Sequence, residues 1–176
     1  MTEFSRVWAM PSPDTFSIPP ISQLVRWHLR TAKVSVDPFA RNNLWATHTN
    51  DLNPTTAAEH HMDATIFLAK MAAEHVKADL ILLDPPYSPR QISECYQSAG
   101  MKATTRDTQN SRMMAEIRLG IEAIAAPGCT AITFGWNSTG MGDRWETNRI
   151  MLVCHGGAHN DTICMVQRKT DVAPLL

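Results

Sequence analysis

The sequence predicts an α/β fold: a mostly parallel sheet with helices on both faces and an antiparallel C-terminal hairpin at one edge. Three observations predict it. Strand-like and helix-like segments alternate along most of the chain, the pattern of a layered α/β domain. The run from residue 78 to 83 (Ala-Asp-Leu-Ile-Leu-Leu) is almost wholly apolar, as suits a strand covered on both sides. Two late strands are separated only by His155-Gly156-Gly157-Ala158-His159-Asn160-Asp161, too short for a crossover and suited to a hairpin turn.

The elements follow in order. Pro11, Pro13, Pro19 and Pro20 make the first twenty residues extended or turning chain. A helix is expected over residues 21–30, with Ile21, Leu24, Val25 and Leu29 on its apolar face and Pro20 at its first turn. Residues 33–39 read as a strand ending at Asp37, and residues 45–50 as a second strand ending at Asp51. Residues 54–60 are loop, and His60-His61-Met62 is at most a brief strand closed by Asp63. A helix over 64–76 leads to the apolar strand 78–83, which runs into Asp84-Pro85-Pro86-Tyr87. Residues 88–108 are polar and without period, so they read as loop. A helix over 111–126 is stopped by Pro127-Gly128. Strand 130–134, a glycine-rich loop over 135–147 and the hairpin strands 149–154 and 162–167 complete the chain.

Composition narrows the function classes. The 176 residues are 44% apolar and 19% charged, which suits one globular domain and excludes a disordered chain. No apolar run reaches the roughly 18–20 residues of a bilayer span, and Arg6 has no apolar stretch behind it. A cytoplasmic protein with no membrane partner is expected. Cys95, Cys129, Cys154 and Cys164 show no CxxC spacing, so a reducing compartment fits. His155 and His159 stand on a glycine-rich turn, where a four-residue spacing does not put them on one face, so no metal is expected. The net charge of −1 means that any basic face for nucleic acid must be local.

The chemistry concentrates at Asp84-Pro85-Pro86-Tyr87. In parallel sheets ligands bind at the carboxyl ends of strands, and this turn follows a buried strand. Two prolines fix φ twice and remove two N–H donors, leaving a stiff corner of carbonyl acceptors beside a carboxylate. Tyr87 adds a flat aromatic face. A planar group with two N–H donors, such as the exocyclic amine of a nucleobase, complements this corner. Its nitrogen is a poor nucleophile because the lone pair is delocalised into the ring. Two well-placed acceptors localise that pair and stabilise the positive charge that grows on methylation.

The turn resembles motif IV of the amino-methyltransferases, and the wider chain resembles short phage-type adenine-specific DNA methyltransferases. The resemblance runs through Phe16-Ser17-Ile18-Pro19-Pro20-Ile21, Asp37-Pro38-Phe39-Ala40, Asn50-Asp51-Leu52-Asn53-Pro54, His61-Met62-Asp63-Ala64, residues 84–90, Phe134-Gly135-Trp136-Asn137 and residues 155–163. It implies a Rossmann-like class I methyltransferase fold with a seven-stranded sheet, S-adenosylmethionine as cofactor, and DNA as partner with the target adenine flipped out. It implies that Asp84, Pro85, Pro86 and Tyr87 are catalytic. It sets Phe16, Ser17, Ile18, Asp37, Pro38, Phe39 and Ala40 along the cofactor, with the last four at its methionine end. Asp51 would accept the ribose hydroxyls, Leu52 would pack on the adenine, and Asp63, with Ala64, would take the adenine amine.

The family's glycine-rich FxGxG turn is replaced here by Phe39-Ala40-Arg41-Asn42-Asn43. Asn42 and Asn43 are the residues expected to adopt positive φ in place of the glycines. No segment is large enough for a separate target-recognition domain, so residues 1–176 read as one domain. The stretch 88–110, with Ser88 and Arg90, is the expected substrate contact, together with Trp136 and Asn137 after the strand 130–134. Short-site specificity, weak specificity or a homodimer accords with so little DNA-reading machinery. An RNA base amino-methyltransferase and a degenerate, non-catalytic binding module remain the alternatives.

Overall fold

A computed structural model describes residues 1–102, 110–157 and 159–170. The apolar run forms strand β4 (Ala78–Leu83) in the interior of the sheet. Its side chains alternate between two cores, as a strand's period of two requires. Ile81 and Leu83 join Phe67, Leu68, Met71, Ile117 and Ile121 on one face. Leu80 and Leu82 join Ile21, Leu24, Val25, Ile132 and Phe134 on the other. Fully burying each such aliphatic side chain contributes about 1.5–3 kcal/mol, which is why this strand anchors the fold.

Among the described residues, three helices pack on the two faces. Helix α1 (Pro19–Leu29) starts at Pro19-Pro20 and turns Ile21, Leu24 and Val25 into the second core. Helix α2 (Ala64–Ala73) is capped by the Asp63 carboxylate, which accepts from the Thr65 N–H at 2.8 Å. Helix α4 (Asn110–Ile124) packs beside α2 on the first core. There Gly120 is essential to the fit, because a Cβ added to it would lie 2.8 Å from Leu68 Cβ.

The remaining strands are β1 (Glu3–Trp8), β2 (Ser35–Asp37), β3 (His48–Thr49), β5 (Ala125–Gly135), β6 (Trp145–Cys154) and β7 (Thr162–Lys169). The sheet has seven strands in the order β1-β6-β7-β5-β4-β2-β3. Pairs β1–β6, β2–β3, β2–β4 and β4–β5 are parallel. Strand β7 runs antiparallel to both β5 and β6. This is the α/β class expected, with the antiparallel C-terminal pair in place.

Four local expectations are corrected. The N-terminal segment is not merely turning chain: residues 3–8 form β1, an edge strand parallel to β6. Residues 88–108 are not all loop. Ser88 caps helix α3 (Pro89–Ser98), its hydroxyl accepting from the Gln91 N–H at 3.3 Å, with Pro89 at the first helical position. The part of that stretch from 103 to 109 lies outside the described residues. Pro127-Gly128 does not stop the helix: α4 ends at Ile124 and passes straight into β5, and the pair lies within that strand, in a register shift between Ala78↔Ala125 and Leu80↔Thr130. Strand β2 is shorter than 33–39, because the Lys33 and Val34 N–H groups bond the side-chain carboxylate of Asp79 on β4 and not a strand backbone.

Candidate functional site

Asn50 assembles the carboxyl ends of the strands. Its side-chain amide donates to Pro38 O at 3.1 Å and to Met62 O at 3.0 Å, and its Oδ1 accepts from the Met62 N–H at 3.2 Å. A parallel bridge between Asn50 and His60 extends the same edge. This buried staple brings the ends carrying Asp37, Asp51 and Asp63 together, with the turn after β4 alongside.

Two cavities open at this rim. The first, about 340 Å³, is walled by Pro38, Phe39, Asp51, Leu52, Asp63 and Ala64, with Met62, Ile66, Ile92, Cys95, Tyr96, Arg112, Met113 and Pro86 among its other neighbours. The second, about 370 Å³, is walled by Pro85, Pro86, Tyr87, Phe134, Trp136 and Asn137, with Ser111, Met114 and Arg118 from α4. Both volumes fall within the usual range of small-molecule sites, about 300–1,000 Å³. Pro86 belongs to both walls.

The Asp84-Pro85-Pro86-Tyr87 turn closes on itself. The Tyr87 hydroxyl donates to Asp84 Oδ1, and the Thr15 hydroxyl also bonds this pair. Asp84 is therefore not itself part of either cavity wall. Burial pushes its carboxyl above the ordinary aspartate value. The Tyr87 and Thr15 hydroxyls and the Arg41 guanidinium pull the other way. Burial likewise pushes the Tyr87 phenol up, and the adjacent Asp84 charge adds to it. The Tyr87 ring meets Trp136 at 5.4 Å between centroids, tilted by 55°, in a geometry aromatic pairs favour.

In the first cavity, Asp51 accepts from the Asn53 N–H at 2.8 Å and from the Arg41 N–H at 3.1 Å. Arg41, not Asn42 or Asn43, takes the left-handed backbone at φ 53°. The asparagines brace the turn instead: Asn42 Oδ1 accepts from the Ala57 N–H at 2.9 Å, and the Asn43 amide donates to Asp14 Oδ1 at 3.1 Å. Asp63 divides its oxygens. Oδ1 caps α2, and Oδ2 accepts from the Tyr96 hydroxyl at 3.1 Å. Asp37 lies behind the cavity at 1% exposure, with Oδ1 accepting from the Phe39 N–H at 3.0 Å. Burial holds its carboxyl well above the ordinary range. The Phe39 hydrogen bond opposes this, and the Asp84 and Asp51 charges reinforce it.

Several expected site residues sit elsewhere. Phe16 and Ile18 are core residues, Phe16 stacking on Trp45 at 5.7 Å and meeting Phe134 at 5.2 Å. Ser17 is exposed and bonds Asp14 O at 2.7 Å, while Ala40 is buried behind the turn. Ser88 spends its hydroxyl on the cap of α3. Arg90 is exposed and pairs with Glu94 at 2.8 Å, one helical turn on. Helix α3 thus faces the first cavity through Ile92, Cys95 and Tyr96, not the second. Tyr96 lines the first cavity, Arg118 lines the second and Thr15 lies at the Asp84–Tyr87 pair, positions that the sequence did not single out. The spacing of Ile92, Cys95 and Tyr96 after a Ser-Pro start was the available signal for the first wall.

No protein-family model matches the sequence, and no curated protein matches it. Solved structures do match its fold. The Escherichia coli protein yhhF, named as a methyltransferase, superposes with a TM-score of 0.55 at 13% identity, covering 92% of each chain. SMU.776, named as a methyltransferase and complexed with SAH, gives 0.56 at 12% identity over 83% of this chain and 49% of its own. A protein from Streptococcus mutans, named as a SAM-dependent methyltransferase, gives 0.50 at 15% over 83% and 48%. The chain therefore spans about half the length of these last two and nearly all of the first. The likeness is one of fold: a mixed α/β, Rossmann-like sheet shared with structures named as methyltransferases.

Proposed function

We propose that this chain is an S-adenosylmethionine-dependent methyltransferase acting on the exocyclic amine of adenine in DNA. One observation carries the proposal: two ligand-sized cavities share the wall at Pro86, one ringed by strand-end carboxylates and apolar side chains, the other by aromatics and the Pro85 backbone. A group-transfer enzyme needs donor and acceptor sites in contact, and cavities that share Pro86 are neighbours at that point.

The first cavity suits the donor. Asp51 and Asp63 are acceptors for ribose hydroxyls and an adenine amine, and Leu52, Met62 and Ile66 give the ring apolar walls. Each carboxylate oxygen has two lone pairs, so the backbone bonds already made to Asp51 leave it further accepting capacity. When bound, S-adenosylmethionine supplies an electrophilic methyl group on a sulfonium, which leaves as a neutral thioether.

The second cavity takes the acceptor. Tyr87 and Trp136 give a flipped base an aromatic wall to stack on, and stacking of this kind contributes about 1–3 kcal/mol, offsetting part of the cost of unstacking it from a duplex. The amine displaces the Tyr87 hydroxyl from Asp84, then donates its two hydrogens to that carboxylate and to the Pro85 carbonyl. Both acceptors localise the nitrogen lone pair and stabilise the positive charge that develops on it, and the Asp84 carboxylate receives the one proton that the amine sheds.

Transfer of tritiated methyl groups from S-adenosylmethionine tests this, with unmethylated DNA and RNA compared as acceptors. The expected result is label on adenine in DNA, and none with Asp84→Ala although that variant still folds. Label on RNA alone moves the substrate. Full activity in Asp84→Ala removes the mechanism, and no binding of millimolar S-adenosylmethionine by calorimetry leaves a non-catalytic module.

A further inference from the structure

The acceptor cavity holds one base, yet a polynucleotide must also rest its flanking nucleotides on the protein. Helix α3, the expected contact, lines the other cavity. The register of the sheet points to a different surface. Gly135, in the acceptor wall, is paired with Ile163, Ile163 with Leu152, and Leu152 with Arg6. Thr133, also in that wall, leads through Met165 and Ile150 to Phe4 in the same way. Laterally paired residues point to one face, so Phe4, Arg6 and Trp8 of β1 share the face of the acceptor cavity.

That face departs from an ordinary soluble edge. Phe4 is 67% exposed and Trp8 is 65% exposed, beside half-buried Ile150, Leu152 and Ile163. Arg6 is its charge, and none of the paired positions just named is a carboxylate. Large exposed aromatics on a cation-bearing sheet surface, with Asp161 the acid nearest Arg6 and already bonded to the His155 N–H, match the stacking platforms that hold single-stranded nucleic acid.

The platform is rigidly built. Arg6 Nε donates to Cys154 Sγ at 3.1 Å. His155, at 6% exposure, donates from Nδ1 to Ala9 O at 2.9 Å and accepts at Nε2 from the Thr162 hydroxyl at 2.9 Å. The His155 N–H also bonds Asp161 Oδ1 at 3.0 Å. These bonds fasten the end of β1 to the neck of the β6–β7 hairpin. Gly156 and Gly157, at φ 69° and 61°, turn the hairpin tip against the Trp8 indole, where a Gly156 Cβ would come within 3.5 Å of Trp8 Nε1. His159 and Asn160 are exposed beside it, while Ala158 lies outside the described residues.

We infer that the rim formed by Phe4, Arg6, Trp8 and the hairpin tip is the surface that holds the single-stranded DNA flanking the base in the acceptor cavity. The inference rests on the proposed function. Phe4 and Trp8, about 13 Å apart along β1, stack on bases that are not adjacent in the oligonucleotide, Arg6 neutralises backbone phosphate between them, and the glycine turn lets the strand approach the main chain closely.

Fluorescence anisotropy with a labelled single-stranded DNA of about 12 nucleotides tests it, alongside calorimetry with S-adenosylmethionine. Phe4→Ala and Trp8→Ala are each expected to weaken the oligonucleotide by at least about fivefold, with Trp8→Phe restoring most of the loss and cofactor affinity unchanged. Wild-type oligonucleotide affinity in both alanine variants overturns the inference while leaving the proposed function standing. So does a wild-type dimer in sedimentation velocity that Trp8→Ala dissociates, since the face then belongs to a second copy. Wild-type protein that binds S-adenosylmethionine but neither DNA nor RNA overturns this surface and the nucleic-acid substrate together.

Discussion

The Tyr87 hydroxyl donates to Asp84 Oδ1, so the two side chains flanking the proline pair close a ring across the turn. That bond stabilises the charged carboxylate against the burial that disfavours it. Tyr87→Phe keeps the aromatic face and removes the bond, so the Asp84 carboxyl rises further. The proposed reaction needs the carboxylate. The variant should therefore lose several-fold more activity in mildly acidic buffer than in alkaline buffer, its acid limb moving to higher pH. A pH–rate profile parallel to wild type would show that the bond does not tune Asp84.

Tyr96 and Asp63 give a second prediction. The phenol occupies Oδ2 of the carboxylate proposed to take the cofactor's adenine amine. Tyr96→Phe leaves the ring on the cavity wall and vacates that oxygen. Binding of S-adenosylmethionine should tighten by about two- to fivefold, the scale of one exchanged hydrogen bond. Calorimetry measures it, and weaker binding would mean that the hydroxyl contacts the ligand directly.

Asp37 carries a stability prediction. Its folded-state carboxyl is held well above the ordinary value of about 3.9. Below that value both folded and unfolded chains are protonated and there is no penalty. As pH rises from there toward the folded-state value, the unfolded chain releases its proton first and stability falls. Asp37→Asn keeps an oxygen for the Phe39 N–H and removes the buried charge. It should raise stability at neutral pH by about 1 kcal/mol or more, roughly 2–4 °C in Tm, with the gain vanishing below about pH 4. Thermal melts at several pH values decide it.

Arg41 yields a contrast between two substitutions. A non-glycine residue at positive φ is strained by about 1–2 kcal/mol, and β-branched residues tolerate it worst. Arg41→Val should destabilise by about 1–2 kcal/mol, whereas Arg41→Gly should stay within about 0.5 kcal/mol of wild type. Urea titrations compare them, and equal losses would point to the Arg41 side chain, which bonds Pro13 O, as the important part.

What the sequence disclosed follows from where its physical signal was strongest. Strand β4 was legible to the residue because burial on both faces leaves a run with little polar interruption. The acids were legible as strand ends because Asp-Pro, Asp-Leu-Asn-Pro and Asp-Pro-Pro each punctuate an apolar segment. Strand β1 was hidden because an edge strand with an open face mixes Glu3, Ser5 and Arg6 with Phe4 and Trp8, and the prolines beyond it dominate the pattern. Helix α3 was hidden because it is polar on average and buries only Ile92 fully, so the polar residues outweigh the spacing of its few apolar ones. The Asn50 staple and the Thr15 contact with Asp84 join residues distant along the chain, and no local pattern marks such pairs.

Pro86 lines both cavities, a rigid residue with no side-chain length to spare. A ligand that presses on it from one side changes the space available on the other. If both cavities fill as proposed, the binding free energies of the two occupants are linked through it, and any favour that one does the other is returned in equal measure. A single molecule bridging the two cavities would also gain from tethering, its second half binding at a high effective concentration. An adenosine joined through a short linker to a second purine is the shape that such a wall invites.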